Sequence, residues 1–248
     1  MSFDAKKFCQ TYFDCWVKAM SDGANEKYNL NSEAWTAFHM KQILYPFAES
    51  LDIREIKYKY SSCPKIHEVG RECPKNCKCG YGDTWAQEYY RVDFSMYYHP
   101  ETYKWCVDFF IEHENAHFEI KDGKVTKKGW LDEFNKLLPL NCSDLGARVI
   151  ISYDNFKDIK NKILFLENIL TNKDSIARQS LVNKPILIIL GPAISNIKSN
   201  PSTDFFIIEF KYENGTWIKN YGYVEEFIGE SKTRHIFEEI NKSLKKKN

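Results

Sequence analysis

The sequence predicts an α/β fold, a mixed central sheet flanked by helices, with extra elements at both ends. Three observations carry that expectation. Between residues 32 and 153 the hydrophobic period switches in the order helix, three strands, helix, strand, an αβββαβ core. The segments 91–97 and 105–115 alternate in the manner of strands and are rich in aromatic and β-branched residues. A chain of 248 residues, 43% hydrophobic and 15% aromatic, has a globular composition and can bury a real core without a staple. The expected organisation is a single domain over 1–248, with its core at about 32–153, a cysteine-rich insertion at 62–80 and a C-terminal extension at 155–248.

Taken in order, Phe8, Tyr12, Trp16 and Met20 recur at helical spacing and predict a helix over 4–20. A loop follows at Ser21-Asp22-Gly23. Ser32 serves as N-cap of a second helix that runs toward Glu49, with Pro46 inside its span. Strands are expected over 53–60, 85–97 and 105–114, the last two joined by a turn through His99-Pro100. Lys121-Asp122-Gly123 reads as a turn. Residues 129–138 have helical spacing, with Trp130, Phe134, Leu137 and Leu138 on one side. A buried-type strand at 147–153, a helix at 155–170 and a strand at 186–190 follow. Two further strands, 205–212 and 216–223, flank the hairpin signal Glu213-Asn214-Gly215. A last helix carries Ile236, Ile240 and Leu244, and Lys245–Lys247 form a solvated end.

Charge and cysteine content bound the function classes. Lys and Arg total 35 against 34 acidic residues, a net charge of +1 that neither advertises nor excludes a nucleic-acid partner. The N-terminal residues lack the apolar core of a signal peptide, and the longest apolar runs are too short to span a bilayer, so a cytoplasmic protein with no membrane partner is expected. Eight cysteines then read as thiols or metal ligands rather than disulfides. Cys63, Cys73, Cys77 and Cys79, with His67 among them, suit a structural Zn²⁺ knuckle in a loop without an apolar core. The C-x-C pair is tighter than the usual spacing, so unligated loop thiols are the alternative. Cys9, Cys15, Cys106 and Cys142 are scattered and read as buried thiols.

The chemistry concentrates at Asp93 and Ile111-Glu112-His113-Glu114-Asn115. On a strand, Cys106, Asp108, Phe110, Glu112 and Glu114 share one face, and Val107, Phe109, Ile111 and His113 the other. In the preceding strand Arg91, Asp93 and Ser95 oppose Val92, Phe94 and Met96. Pairing the two strands gathers Asp93, Glu112 and Glu114. Carboxylates packed together raise one another's pKa and are stabilised by a divalent cation, and oxygen-only ligands suit Mg²⁺ or Mn²⁺. Such a cation polarises a phosphoryl oxygen and acidifies a bound water. The same letters, His113-Glu114-Asn115-Ala116-His117, are a literal H-E-x-x-H, which on a helix would make a zinc peptidase site. The strand-like residues before the motif and the turn after it weigh against a helix. The bland reading is a half-buried edge strand ending in solvated charges.

With Asp93 on the second strand and Glu112-His113-Glu114 on the third, the region 32–153 resembles the core of the PD-(D/E)-x-K nuclease superfamily, which includes many restriction endonucleases. The resemblance covers about half the chain. It implies a restriction-endonuclease-like fold in which Asp93 and Glu112 hold the metal. Glu114 stands where the family has lysine, as in a branch of restriction enzymes. It also makes Lys136 a candidate, because some members relocate the lysine to the helix after the third strand, with Glu133, Asn115 and Glu49 as secondary candidates. A phosphodiester-hydrolysing enzyme acting on DNA is implied, with a second copy of the chain as a further partner. Lys57, Tyr58, Lys59, Tyr60 and Tyr97 are candidates for a nucleic-acid surface. The alternative from another class is a nuclease-derived binding or regulatory module without turnover.

Overall fold

A seven-stranded mixed sheet with helices packed on both faces forms the centre of the computed structural model. The structure describes residues 3–20, 32–51, 59–60, 92–98, 106–154, 156, 158–172, 184–192 and 205–228. In chain order these form helix α1 (Ala5–Met20), α2 (Ser32–His39), a π-helical turn (Met40–Leu44), α3 (Tyr45–Ser50), and strands β1 (Lys59–Tyr60), β2 (Phe94–Tyr98) and β3 (Cys106–Glu114). There follow β4 (Glu119–Lys121), β5 (Lys124–Lys127), α4 (Trp130–Leu137), β6 (Ala147–Asp154), α5 (Ile159–Thr171), β7 (Ile186–Pro192), β8 (Phe206–Glu213), β9 (Thr216–Tyr223) and α6 (Val224–Ile228). The sheet order is β1-β2-β3-β6-β7-β8-β9. The β3–β6 and β6–β7 pairs are parallel and the others antiparallel.

The period of two decides which helix layer each strand residue meets. Phe109, Ile111, Val149, Ile151, Leu187 and Ile189 pack beneath α1, α2, α3 and α6. Phe110, Ile150, Ile186, Ile188, Leu190 and Ile208 pack against α4 and α5. Strands β6 and β7 are buried at every position, which is why β7 and the centre of β6, Val149–Ile151, are continuously apolar. On α1 the helical stripe holds Phe8, Tyr12, Trp16 and Met20, and the Phe8 ring meets Phe47 and Phe109 at 4.7 and 5.2 Å. No described helix is long and apolar enough to cross a membrane.

Several local outcomes differ from the sequence expectations for physical reasons. The helix runs past Pro46 as expected, but by way of a π turn. The Tyr45 N–H reaches back to the Met40 carbonyl in the π turn, which restarts the helix with Pro46 in the first turn of α3, where a missing N–H costs nothing. Strand β2 begins at Phe94, and the alternation expected of Val92, Phe94 and Met96 breaks at Asp93, which lies in a bend. Val92 consequently packs on the α4 side, and Phe94 and Met96 on the α1 side. The turn at 121–123 is the tip of a β4–β5 hairpin whose short, largely exposed strands have no hydrophobic signature. Asp122 and Gly123 have φ of 51° and 72°, and Asn214 and Gly215 have 50° and 83°, the left-handed pairs of tight hairpin turns. The cysteine insertion 62–80, residues 53–58 and 85–91, the His99-Pro100 turn and the last helix around Ile236, Ile240 and Leu244 lie outside the described residues.

Gly146 enters β6 where the chain runs against β3, and a Cβ there would fall on the Asp108 carbonyl. Backbone cannot yield as a flexible side chain can. Gly146→Ala is therefore expected to destabilise the fold by about 3 kcal/mol or more. Urea denaturation checks this, and an unchanged midpoint would mean that β3 and β6 have room to separate at this rung.

Candidate active site

Glu112 is placed by the β3 period. It follows Asp108 and Phe110 on the face that meets α4 and is 1% exposed. On α4 the apolar stripe of Trp130, Phe134 and Leu137 is buried, which turns Glu133 and Lys136, one helical turn apart, toward the end of β3. Lys136 Nζ lies 2.6 Å from Glu112 Oε1 and 3.1 Å from Glu133 Oε2. Asp93 arrives from the other side. Phe94 pairs with Ile111 at the end of the β2–β3 ladder, and the next N–H on that edge, from His113, donates to Asp93 Oδ2 at 3.0 Å. That tertiary bond accounts for the bend at Asp93.

The electrostatics follow from crowding two acids around one amine. Burial first, and the Asp93 charge second, push the Glu112 carboxyl up to about 9, against the lowering pull of Lys136. Loss of water also raises Asp93, although part of the residue stays open to solvent and the His113 N–H and Lys136 pull it down. Burial lowers the Lys136 ammonium, but its bonds to Glu112 and Glu133 more than offset this and leave it raised. The site therefore holds more proton-binding capacity near neutral pH than three ordinary side chains would. A second cation between Asp93 and Glu112 would relieve their repulsion.

Behind the strand, on the α1 face, His113 belongs to a buried polar network. Its Nε2 is 3.3 Å from Tyr153 Oη, its Nδ1 is 3.4 Å from Thr36 Oγ1, and its ring lies 4.2 Å from that of His39. Trp35 Nε1 donates to Tyr153 Oη at 2.6 Å, and Tyr12 Oη is 3.2 Å from His39 Nε2. Burial holds both imidazoles neutral, His113 lowered to about 3 and His39 well below its ordinary value. The Thr36 hydroxyl also accepts from Asn115 Nδ2 at 2.9 Å, so α2 fixes the exit of β3. On the other face Lys162 Nζ bonds both Asp154 oxygens, at 2.7 and 2.8 Å, and Trp130 Nε1 donates to Asp154 Oδ2 at 3.0 Å. This buried pair ties the start of α4 to β6 and α5.

No family model, no curated protein and no solved structure matches this chain.

Of the residues singled out in the sequence, Asp93, Glu112, Lys136 and Glu133 come together. Glu114 does not join them. Its Oε1 accepts the Ala116 N–H at 2.7 Å, satisfying a backbone donor left where the β3 ladder ends. In place of the expected Asp93, Glu112 and Glu114, the site holds three carboxylates, Asp93, Glu112 and Glu133, with Lys136. Among the described residues no three His, Cys, Asp or Glu side chains form a metal-ligating group.

The helix that the zinc peptidase reading requires does not form: His113 lies in β3, which ends at Glu114, and Ala116 lies in a bend before His117, so no helix places the two imidazoles on one face. His117 is instead bonded to Glu119 at 2.5 Å and to Lys127 at 3.2 Å. Asp108 accepts from the Ser143 hydroxyl. Glu49 is exposed near the end of α3. Cys63, Cys73, Cys77, Cys79, Lys57 and Tyr58 lie outside the described residues, as do the side chains of Lys59, Tyr60, Tyr97 and Cys106. Cys9, Cys15 and Cys142 are buried free thiols. Sequence reasoning missed Thr36, His39 and Tyr153, which meet only because the sheet topology brings α2, β3 and β6 together.

Proposed function

We propose that the chain is a metal-dependent nuclease that hydrolyses phosphodiester bonds in DNA, with Asp93 and Glu112 as the metal-holding acids and Lys136 as the cationic partner. The observation that carries the reading is the convergence of these three side chains, with Lys136 Nζ 2.6 Å from Glu112 Oε1. From α2 to β6 the main sheet receives a helical segment, three strands, a helix and a strand parallel to the third, with the β4–β5 hairpin inserted before the helix, an order that supports a restriction-endonuclease-like core. The donor set fits Mg²⁺ or Mn²⁺: two oxygen-ligand carboxylates, both raised by burial and one by the other, gain from a hard divalent ion.

When bound, that ion would polarise the scissile phosphate and acidify the attacking water. This chain's own residues do the rest. Asp93 is held in place by the His113 N–H, Glu112 is fixed by the β3 pleat, and Lys136 presents an ammonium to charge that develops on the phosphoryl oxygens. Glu133, 3.1 Å from Lys136, holds the amine in position.

The test is cleavage of a labelled DNA duplex with Mg²⁺ or Mn²⁺ by wild type, Asp93→Ala and Glu112→Ala. Metal-dependent cutting by wild type, lost in both variants, is expected, and cutting that survives both substitutions would remove the acids from the reaction. One feature favours a second reading. Lys136 Nζ, 2.6 Å from Glu112 Oε1, competes with a cation for that carboxylate, which suits a nuclease-derived module that binds nucleic acid and does not cut it. Binding with no cutting under either metal is the result that reading expects.

A further inference from the structure

Between β3 and α4, the two elements that carry Glu112 and Lys136, the chain inserts the β4–β5 hairpin. Its inner side is anchored. Ile120 and Val125 pack partly buried against the core beneath α4 and α5, and the buried Phe118 ring meets Trp130 at 5.2 Å and Phe165 at 5.7 Å. Its two feet are pinned where the Trp130 N–H donates to the Ala116 carbonyl at 3.2 Å. Gly129, with φ of 43°, approaches the Ala116 and His117 carbonyls more closely than any Cβ would allow. Ala116 lies four residues beyond Glu112, at most roughly 13 Å along extended backbone. The hairpin is therefore a fixed projection beside the acids.

Its outer side carries a charge arrangement that costs the isolated fold. Lys121 and Lys124 are both exposed and stand directly opposite each other across the ladder, astride the Asp122-Gly123 turn. Like charges at facing positions destabilise a hairpin. Neither lysine side chain makes an ion pair or hydrogen bond among the described residues. Lys127 and Lys128 continue the basic limb, the first 3.2 Å from His117 Nδ1 and the second 3.5 Å from Asp132. Residues 121–128 thus hold four lysines and one acid, Asp122. A narrow ribbon presenting unneutralised ammonium groups at its tip suits a row of phosphates, to which lysine binds as a point charge.

We propose that this hairpin grips the sugar–phosphate backbone of a DNA duplex beside the acid site, with Lys121 and Lys124 as phosphate contacts. The inference rests on the nuclease reading for its substrate but makes a separate claim. Fluorescence anisotropy of a labelled duplex in chelator, over a series of salt concentrations, tests it with wild type, Lys121→Ala/Lys124→Ala and, as a control on α1, Lys6→Ala/Lys7→Ala. Loss of two phosphate contacts makes the slope of log affinity against log salt shallower by about 1.8, because each contact contributes about 0.9. The control keeps the wild-type slope. The double hairpin variant keeps or raises the thermal midpoint, since it removes a repulsion.

Wild-type binding with an unchanged slope in the hairpin variant overturns the proposal and leaves the nuclease reading standing. Absence of wild-type binding overturns it as well. A shallower slope in a protein that cuts no DNA under either metal supports the hairpin as a DNA contact and removes turnover.

Discussion

Replacing Lys136 with methionine is expected to lower metal-dependent DNA cleavage about 10²- to 10³-fold while leaving the fold intact. Methionine keeps an unbranched stem against the flank of α4 and removes only the charge that faces Glu112 at 2.6 Å. A positioned cation aimed at developing negative charge in a partly dry site contributes a factor of this size. The variant also loses the influence that lowers the Glu112 pKa, so Glu112 stays protonated to higher pH. The residual activity should accordingly recover in part as pH rises, and the pH–rate profile should shift upward relative to wild type. Wild-type turnover with an unshifted profile would reduce Lys136 to a surface lysine.

Stability in chelator should fall along the alkaline limb, and Glu112 is the reason. Its carboxyl is raised from 4.5 to about 9 in the folded protein. Across that interval the native state holds a proton that the unfolded chain has released, so the contribution is complete below the unfolded value and is lost as pH rises through the folded one. Because the group is 1% exposed but coupled to Asp93 and Lys136, the recoverable part is on the order of 3 kcal/mol.

The buried histidines act in the opposite sense. His113, lowered from 6.5 to about 3, contributes stability that is present above the unfolded value and lost as pH falls through this range. The wild type should therefore be most stable near pH 6 to 7, roughly where these two opposing limbs meet. Glu112→Gln, a neutral replacement of the same shape, should flatten the alkaline limb and leave the acid limb in place. Urea midpoints at several pH values measure both, and an alkaline limb equally steep in the variant would place the responsible group elsewhere.

Much of the frame was legible because burial writes a period into the chain. The alternation of Phe109, Phe110, Ile111 and Glu112 assigned β3 residues to their faces, the apolar runs marked β6 and β7, and Asn214-Gly215 marked the hairpin between β8 and β9. What escaped depended on groups far apart in sequence. The bend at Asp93 follows from its bond to the His113 N–H, and the diversion of Glu114 follows from the Ala116 N–H left at a strand end. The π turn that absorbs Pro46 is a shift in hydrogen-bond register with no residue signature. Lys136 was a candidate only through the family resemblance, and its contact with Glu112 depends on how Trp130 and the Asp154–Lys162 pair seat α4.

The most direct test of the account is a time course of supercoiled plasmid with Mg²⁺, Mn²⁺ or chelator, run side by side for wild type and Glu112→Ala. Nicked or linear product is expected only with wild type and only with a divalent ion, the variant being slower by about 10³-fold. Intact plasmid with wild type under both metals, or equal cutting by the variant, would contradict it.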